Sequence, residues 1–150
     1  MKSSTPNLTQ HPPRSCRVRL GGYALLPRIL DKCRAVLAGT NGEYNYACPL
    51  DMRFFSFTGI DPEALKAQVA AGLGDGELLA WVEAHAQKQH EDWEIHQWSA
   101  FREQAAPADN DSRSYINGAI SGAKADHRED LATWFEWLDM DDYVSFGGKA

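Results

Sequence analysis

The chain has little cysteine: three residues in 150. Cys16, Cys33 and Cys48 are odd in number and show no CxxC spacing. That excludes a disulfide framework and a zinc ribbon, and points to a reduced, cytoplasmic protein. Long apolar runs are also missing. No stretch approaches the roughly eighteen residues that a membrane span needs, and Met1 to Pro13 is polar and proline-containing, without the apolar core of a secretory leader. No HxxxH or HExxH occurs, and neither does GxGxxG or the Walker lysine. The expectation is therefore no membrane, no metal and no cofactor. No internal repeat or low-complexity tract is present.

What is present is globular: 43% hydrophobic residues, with five Trp, five Tyr and six Phe. At this length one ordinary domain buries a sizeable core. The net charge of −6 is unevenly spread. Residues 1–34 hold seven Lys/Arg against Asp31 alone, whereas the rest holds eight basic and twenty acidic side chains. The first reading is a basic N-terminal segment packed across an acidic body. The sharper one turns some of those arginines toward an anionic ligand. An acidic body argues against nucleic acid as a partner.

Patterning predicts helices. Pro6, Pro12 and Pro13 make residues 1–15 an extended arm. Leu26, Ile29, Leu30, Cys33 and Leu37 share one helical face, with Arg28, Asp31, Lys32 and Ala35 opposite, and Gly39 closes the helix. Pro27 either opens that helix or kinks a longer one from near Arg19, and the kinked version is the expectation here. Residues 40–48 read as a turn at Asn41-Gly42 and an extended piece. Pro49 opens a short helix with Phe54, Phe55 and Phe57. Asp61-Pro62-Glu63 starts another, burying Leu65 and Val69. Asp75 is expected to cap the next, with Leu78, Leu79 and Val82 inward.

A helix over about 92–104 points Ile95, Trp98 and Phe101 inward. One from about Asp111 shows Tyr115, Ile116, Ala119 and Ile120 on one side. The last begins at a capping-box-like Asp126…Glu129 and buries Leu131, Trp134, Phe135 and Leu138. Asp139, Asp141 and Asp142 read as an acidic exposed turn. The expected architecture is all-α: about six or seven short helices in a single compact domain over 16–150, behind the arm.

Residues 16–60 carry the densest chemistry. The candidate pocket is Arg28, Asp31, Lys32, Glu43, Tyr44, Tyr46, Cys48 and Asp51. As structure, these brace the first helix through an ion-pair network, Asp31 pairing with Arg28 or Arg34, and Glu43 or Asp51 with the remaining cations. As function, they line a small pocket with Arg28 as the anion contact. Cys48 stands at a probable helix start, where a thiol is activated, yet no histidine is near in sequence to serve as its base. His85, His90 and His96 with Glu91, Asp92 and Glu94 have a metal-like composition without ligand spacing, and read as a solvated face.

Several segments together carry a resemblance: Arg19-Leu20-Gly21-Gly22-Tyr23, Leu26-Pro27-Arg28-Ile29-Leu30-Asp31-Lys32, Gly42-Glu43-Tyr44 and Cys48-Pro49-Leu50-Asp51, with Phe54-Phe55, Phe57-Thr58-Gly59 and Gly74-Asp75-Gly76-Glu77. The chain resembles a bacterial family of small proteins known only as a domain of unknown function. The resemblance runs from about Leu8 and is strongest before residue 80. It implies a single-domain, cytoplasmic bacterial protein and brings no activity or catalytic residue. Two functional readings stand. The leading one is a soluble helical domain that binds a protein partner or forms a homodimer. The alternative is a small-molecule-binding protein or enzyme, with an unknown small anion held around Arg28, Asp31, Glu43, Tyr44 and Cys48. A deep pocket favours the second; a flat aromatic patch around Phe54, Phe57 or the tail favours the first.

Overall fold

Leu25 and the two glycines before it decide where the first helix begins. In the computed structural model, which describes residues 5–150, no helix reaches back to Arg19. Instead Arg19–Leu20 (β1) and Tyr23–Ala24 (β2) form a two-stranded antiparallel hairpin, Arg19 opposite Ala24 and Leu20 opposite Tyr23. Gly21 and Gly22 turn it with φ of +58° and +84°, the left-handed pair that a two-residue hairpin loop requires. Leu25 then takes φ +72°, which a continuous helix forbids. Helix α1 (Leu26–Ala38) therefore starts afresh, with Pro27 in its first turn, where a missing N–H costs nothing. Gly39 ends it in the left-handed conformation.

Six more helices follow: α2 (Asp51–Thr58), α3 (Pro62–Ala70), α4 (Asp75–His85), α5 (Asp92–Gln104), α6 (Asn110–Gly122) and α7 (Trp134–Ser145). The protein is all-α apart from the hairpin. Asp61 caps α3 as expected, accepting from the Ala64 N–H at 3.1 Å. Three helix starts differ from expectation. Pro49 lies in the turn before α2, which opens at Asp51. Gly74 occupies the cap position of α4, and Asp75 is its first helical residue, its carboxylate taken by Arg14 at 2.7 Å and Arg34 at 2.9 Å. The capping box of α7 is Thr133 with Glu136, not Asp126 with Glu129. Thr133 is followed directly by the aromatic stripe, and a cap works only where that stripe starts.

The main core gathers α1, the hairpin, α2 to α5 and Phe135 of α7. Helix α1 is at its centre, and this corrects the one-faced reading. Arg28, Lys32 and Ala35 are buried along with Leu26, Ile29, Leu30 and Cys33, while Leu37 is exposed. Phe54 is fully buried, edge-on to Tyr23 and Phe55 at 5.4 Å each, pairs worth about 0.5–1.5 kcal/mol beyond area. Phe57 stacks on Trp98 at 4.8 Å and on His90 at 3.8 Å. A smaller cluster of Ala125, Leu131 and Met140 lies under α6 and α7. On α5 the inward stripe is Ile95, Trp98, Ser99 and Arg102, so Phe101 is 62% exposed. Tyr115 on α6 is likewise exposed, and Ile116 buried.

Residues 5–18 contain no helix or strand; residues 1–4 of the expected arm lie outside the described residues. Leu8 and Pro13 are buried. The Leu8 N–H donates to the Thr40 carbonyl at 2.8 Å, and the Thr40 hydroxyl to that of Pro6 at 2.8 Å. Gly42, at φ +55°, leaves room there: a Cβ on it would meet the Leu8 carbonyl oxygen at 2.9 Å.

Buried Ser99 ties the hairpin to α5. Its hydroxyl donates to the Gly22 carbonyl at 2.6 Å and accepts from the Ala24 N–H at 2.9 Å. Ser99→Ala strands both groups and is expected to cost about 1–3 kcal/mol in chemical denaturation. A change within a few tenths would mean the hairpin is held by packing alone.

Candidate functional site

A cleft of about 1300 Å³ opens between α1, the loop 42–50 and α2 on one side and the end of α5, α6 and α7 on the other. Its floor is ionic. Arg28 donates a forked pair to Asp142, Nη1 to Oδ2 at 2.7 Å and Nη2 to Oδ1 at 3.2 Å, with both side chains under a tenth exposed. The Tyr44 hydroxyl donates to the same carboxylate at 2.8 Å, and the guanidinium lies 5.5 Å from the Tyr44 ring centre. Burial, then the bond to Asp142, hold the Tyr44 phenol well above its usual range. One turn on, the Lys32 ammonium donates to Asp51 Oδ1 at 2.8 Å and lies 3.5 Å from Cys48 Sγ. Asp51 is 1% exposed, and its Oδ2 accepts from no group among the described residues.

Six of the eight sequence candidates line the cleft: Arg28, Lys32, Glu43, Tyr44, Cys48 and Asp51. Two do not. Asp31 turns to the opposite flank, accepting from Arg14 at 2.9 Å and lying 3.8 Å from Arg34. Arg34 in turn forms an ion pair with Asp75, its Nη2 at 2.9 Å without hydrogen-bond alignment. Tyr46 donates to the Pro62 carbonyl at 2.7 Å and packs edge-on to Phe55. Glu43 is exposed at the rim. The pairing expected of Arg28 with Asp31 is replaced by one with Asp142 of α7.

The acidic run at 139–142 is thus not an exposed turn but part of α7. Asp139 accepts from Arg17 at 2.9 Å and from the Ser15 hydroxyl at 2.7 Å. Arg19 reaches Glu103 at 3.0 Å. Five N-terminal arginines (14, 17, 19, 28 and 34) therefore meet acids of the chain, the plainer of the two charge readings. Asp142 was legible only as the residue seven after Phe135, and so on its buried face.

Asp141 lines the cleft and has its carboxyl raised by burial, then by Asp142 and Glu43, against the opposing charge of Arg28. A raised folded pKa means that the folded state holds the extra proton, so this group's contribution falls as pH rises from the unfolded carboxyl range through the folded pKa. Asp141→Asn is expected to stabilise the protein by about 0.5 kcal/mol at neutral pH, after allowance for solvent screening, and by nothing below about pH 4. Urea titrations at the two pH values check this; a gain that persists in acid would assign the effect to packing.

Sequence reasoning missed the apolar wall of the cleft. Phe101, Tyr115, Trp134, Trp137 and Phe146 line it, with Tyr115 edge-on to Trp137 at 5.9 Å. It also missed Arg53 on α2 and Arg102 on α5. Neither has an acid three or four residues away, and that lack of a local partner was the available signal.

The histidines stand apart from the cleft. His90 Nε2–H donates to the Phe57 carbonyl at 2.8 Å, and His85 stacks on Trp81 at 4.6 Å. No group of three or more His, Cys, Asp or Glu is arranged to hold a metal among the described residues. No helix there is long and apolar enough to cross a membrane. No curated protein matches the chain. The model of the family described as Domain of unknown function (DUF5069) matches residues 10–144, and the chain belongs to that family.

Proposed function

We propose that this is a small-molecule-binding protein whose ligand occupies the cleft between α1–α2 and α5–α7. One observation carries the reading: six dispersed polar candidates and a set of aromatic side chains converge on a single cavity of about 1300 Å³, ample for a small ligand, since such sites hold roughly 300–1000 Å³. Phe54 is buried and Phe57 is half-buried against Trp98 and His90, so the flat aromatic patch that would have favoured a protein partner or homodimer is not built from them; in the tail, Phe146 lines the cleft and Tyr143 is exposed. Cys16 and Cys33 are buried free thiols and Cys48 is a half-buried one, which supports a reducing, cytoplasmic setting. Burial pushes the Cys16 thiol up to about 12 and the Cys33 thiol up to about 11, so both are core residues. No reaction is assigned; Lys32 and Cys48 are among the nucleophile-type groups lining the cleft, with the hydroxyls of Thr9, Ser112 and Ser145.

The test is a thermal-shift screen of the full chain against small polar and aromatic metabolites. A true ligand at a hundred times its Kd adds about 2.7 kcal/mol, which is about 5–10 °C in Tm for a chain of this size. The shift should shrink in Tyr115→Ala, which removes an exposed wall residue. A screen without hits, together with a dimer by light scattering, would move the reading to self-association.

A further inference from the structure

The four basic side chains of the cleft differ in whether a counter-ion is already in place. Arg28 is forked onto Asp142, and Lys32 is bonded to Asp51. Arg53 and Arg102 have no carboxylate within ion-pair distance among the described residues. Arg102 comes from the inward stripe of α5, and its Nε is buried without a hydrogen-bond partner. Its guanidinium lies over the Phe101 ring at 4.5 Å. Burial, and then the charge of Arg53, lower its pKa, so the two cations are near enough to repel. A buried guanidinium donor left unmet, beside a second like charge, is costly to the fold. Both arginines face the cleft and also a smaller groove of about 630 Å³ that continues from it toward His90.

We propose that Arg53 and Arg102 form an oxyanion-binding subsite within the cleft, taking the carboxylate, sulfonate or phosphate of a ligand whose body is aromatic. The claim rests on the cleft-binding reading and specifies its ligand class. Two guanidiniums of low hydration match an oxyanion with directed N–H bonds. The other charges of the cleft give direction. Glu43 and Asp141 near α7 and Asp109 at the start of α6 repel an anion from their walls, while Arg28 and Lys32 are already neutralised. The body of the ligand then lies against Phe101, Tyr115 and Trp137, where ring stacking favours an aromatic group. This moves the anion contact from Arg28, where the sequence suggested it, to a pair that the sequence did not single out.

The test titrates the full chain with anilinonaphthalene sulfonate and with uncharged phenylnaphthylamine, a probe pair differing in the anionic group, in wild type, Arg53→Gln and Arg102→Gln. The subsite predicts that wild type binds the sulfonate about tenfold more tightly than the amine. Each variant should lose about tenfold for the sulfonate and less than about twofold for the amine. Equal affinity of the two probes for wild type overturns the proposal, and so does parallel loss of both in a variant whose circular dichroism is unchanged. In either case the cleft reading survives. Failure of both probes to bind wild type removes the cleft reading and the subsite with it. Arg53 is exposed, so its variant carries the test even if Arg102→Gln does not fold.

Discussion

Asp142→Ala is expected to lower the unfolding free energy by about 3–5 kcal/mol, the cost of leaving a buried charge without its partner. The carboxylate accepts from both Arg28 nitrogens and from the Tyr44 hydroxyl, and all of this lies under α7. Its loss strands a guanidinium that is only 5% exposed, together with a phenol. Arg28→Ala should cost a similar amount from the other side. The double replacement Arg28→Met with Asp142→Leu should recover the part due to the stranded charge, since an apolar pair of like volume replaces buried ions at little cost, and leave only the unmet Tyr44 hydroxyl. Urea denaturation followed by far-UV circular dichroism measures all three. If Asp142→Ala costs less than about 1 kcal/mol, water reaches Arg28 and the clasp between α1 and α7 is not structural.

The second large effect is at Lys32. Lys32→Met leaves Asp51, at 1% exposure, with neither oxygen compensated by a cation. A loss of about 3–5 kcal/mol is expected at neutral pH. Removing both charges with Lys32→Met and Asp51→Leu together should recover most of that loss, since an apolar pair replaces buried ions at little cost. Urea denaturation of the single and double variants decides it. A loss that the second substitution does not recover would point to the packing of the lysine stem.

Local signals were legible where they act locally. Asp61-Pro62-Glu63 starts α3, Gly39 ends α1, and the span 92–104 is helical as patterned. Each rests on the hydrogen bonds of a single turn, which depend on neighbouring residues alone. The start of α1 was misjudged because Gly21-Gly22 was read as part of a helix and not as a hairpin loop, and Leu25 takes a backbone conformation that its residue type does not announce. Phe101 was placed inward because aromatics usually pack inside; here it borders a cleft with Tyr115, where apolar surface stays open.

Composition, periodicity and short motifs by themselves determined an all-α chain, the main apolar residues of its core and membership of a domain family of unknown function. They also drew attention to residues 28–51, most of whose candidates do share one cleft. Tertiary structure alone decided the partners. Arg28 meets a carboxylate 114 positions away, and Arg14 one 61 away. Arg53 and Arg102 come together from two helices separated by two others. Charge pairing depends on distance in space, and a helix reports spacing only along its own axis. Which cations are neutralised, and which remain for a ligand, is set only when α5 and α7 pack against α1 and α2.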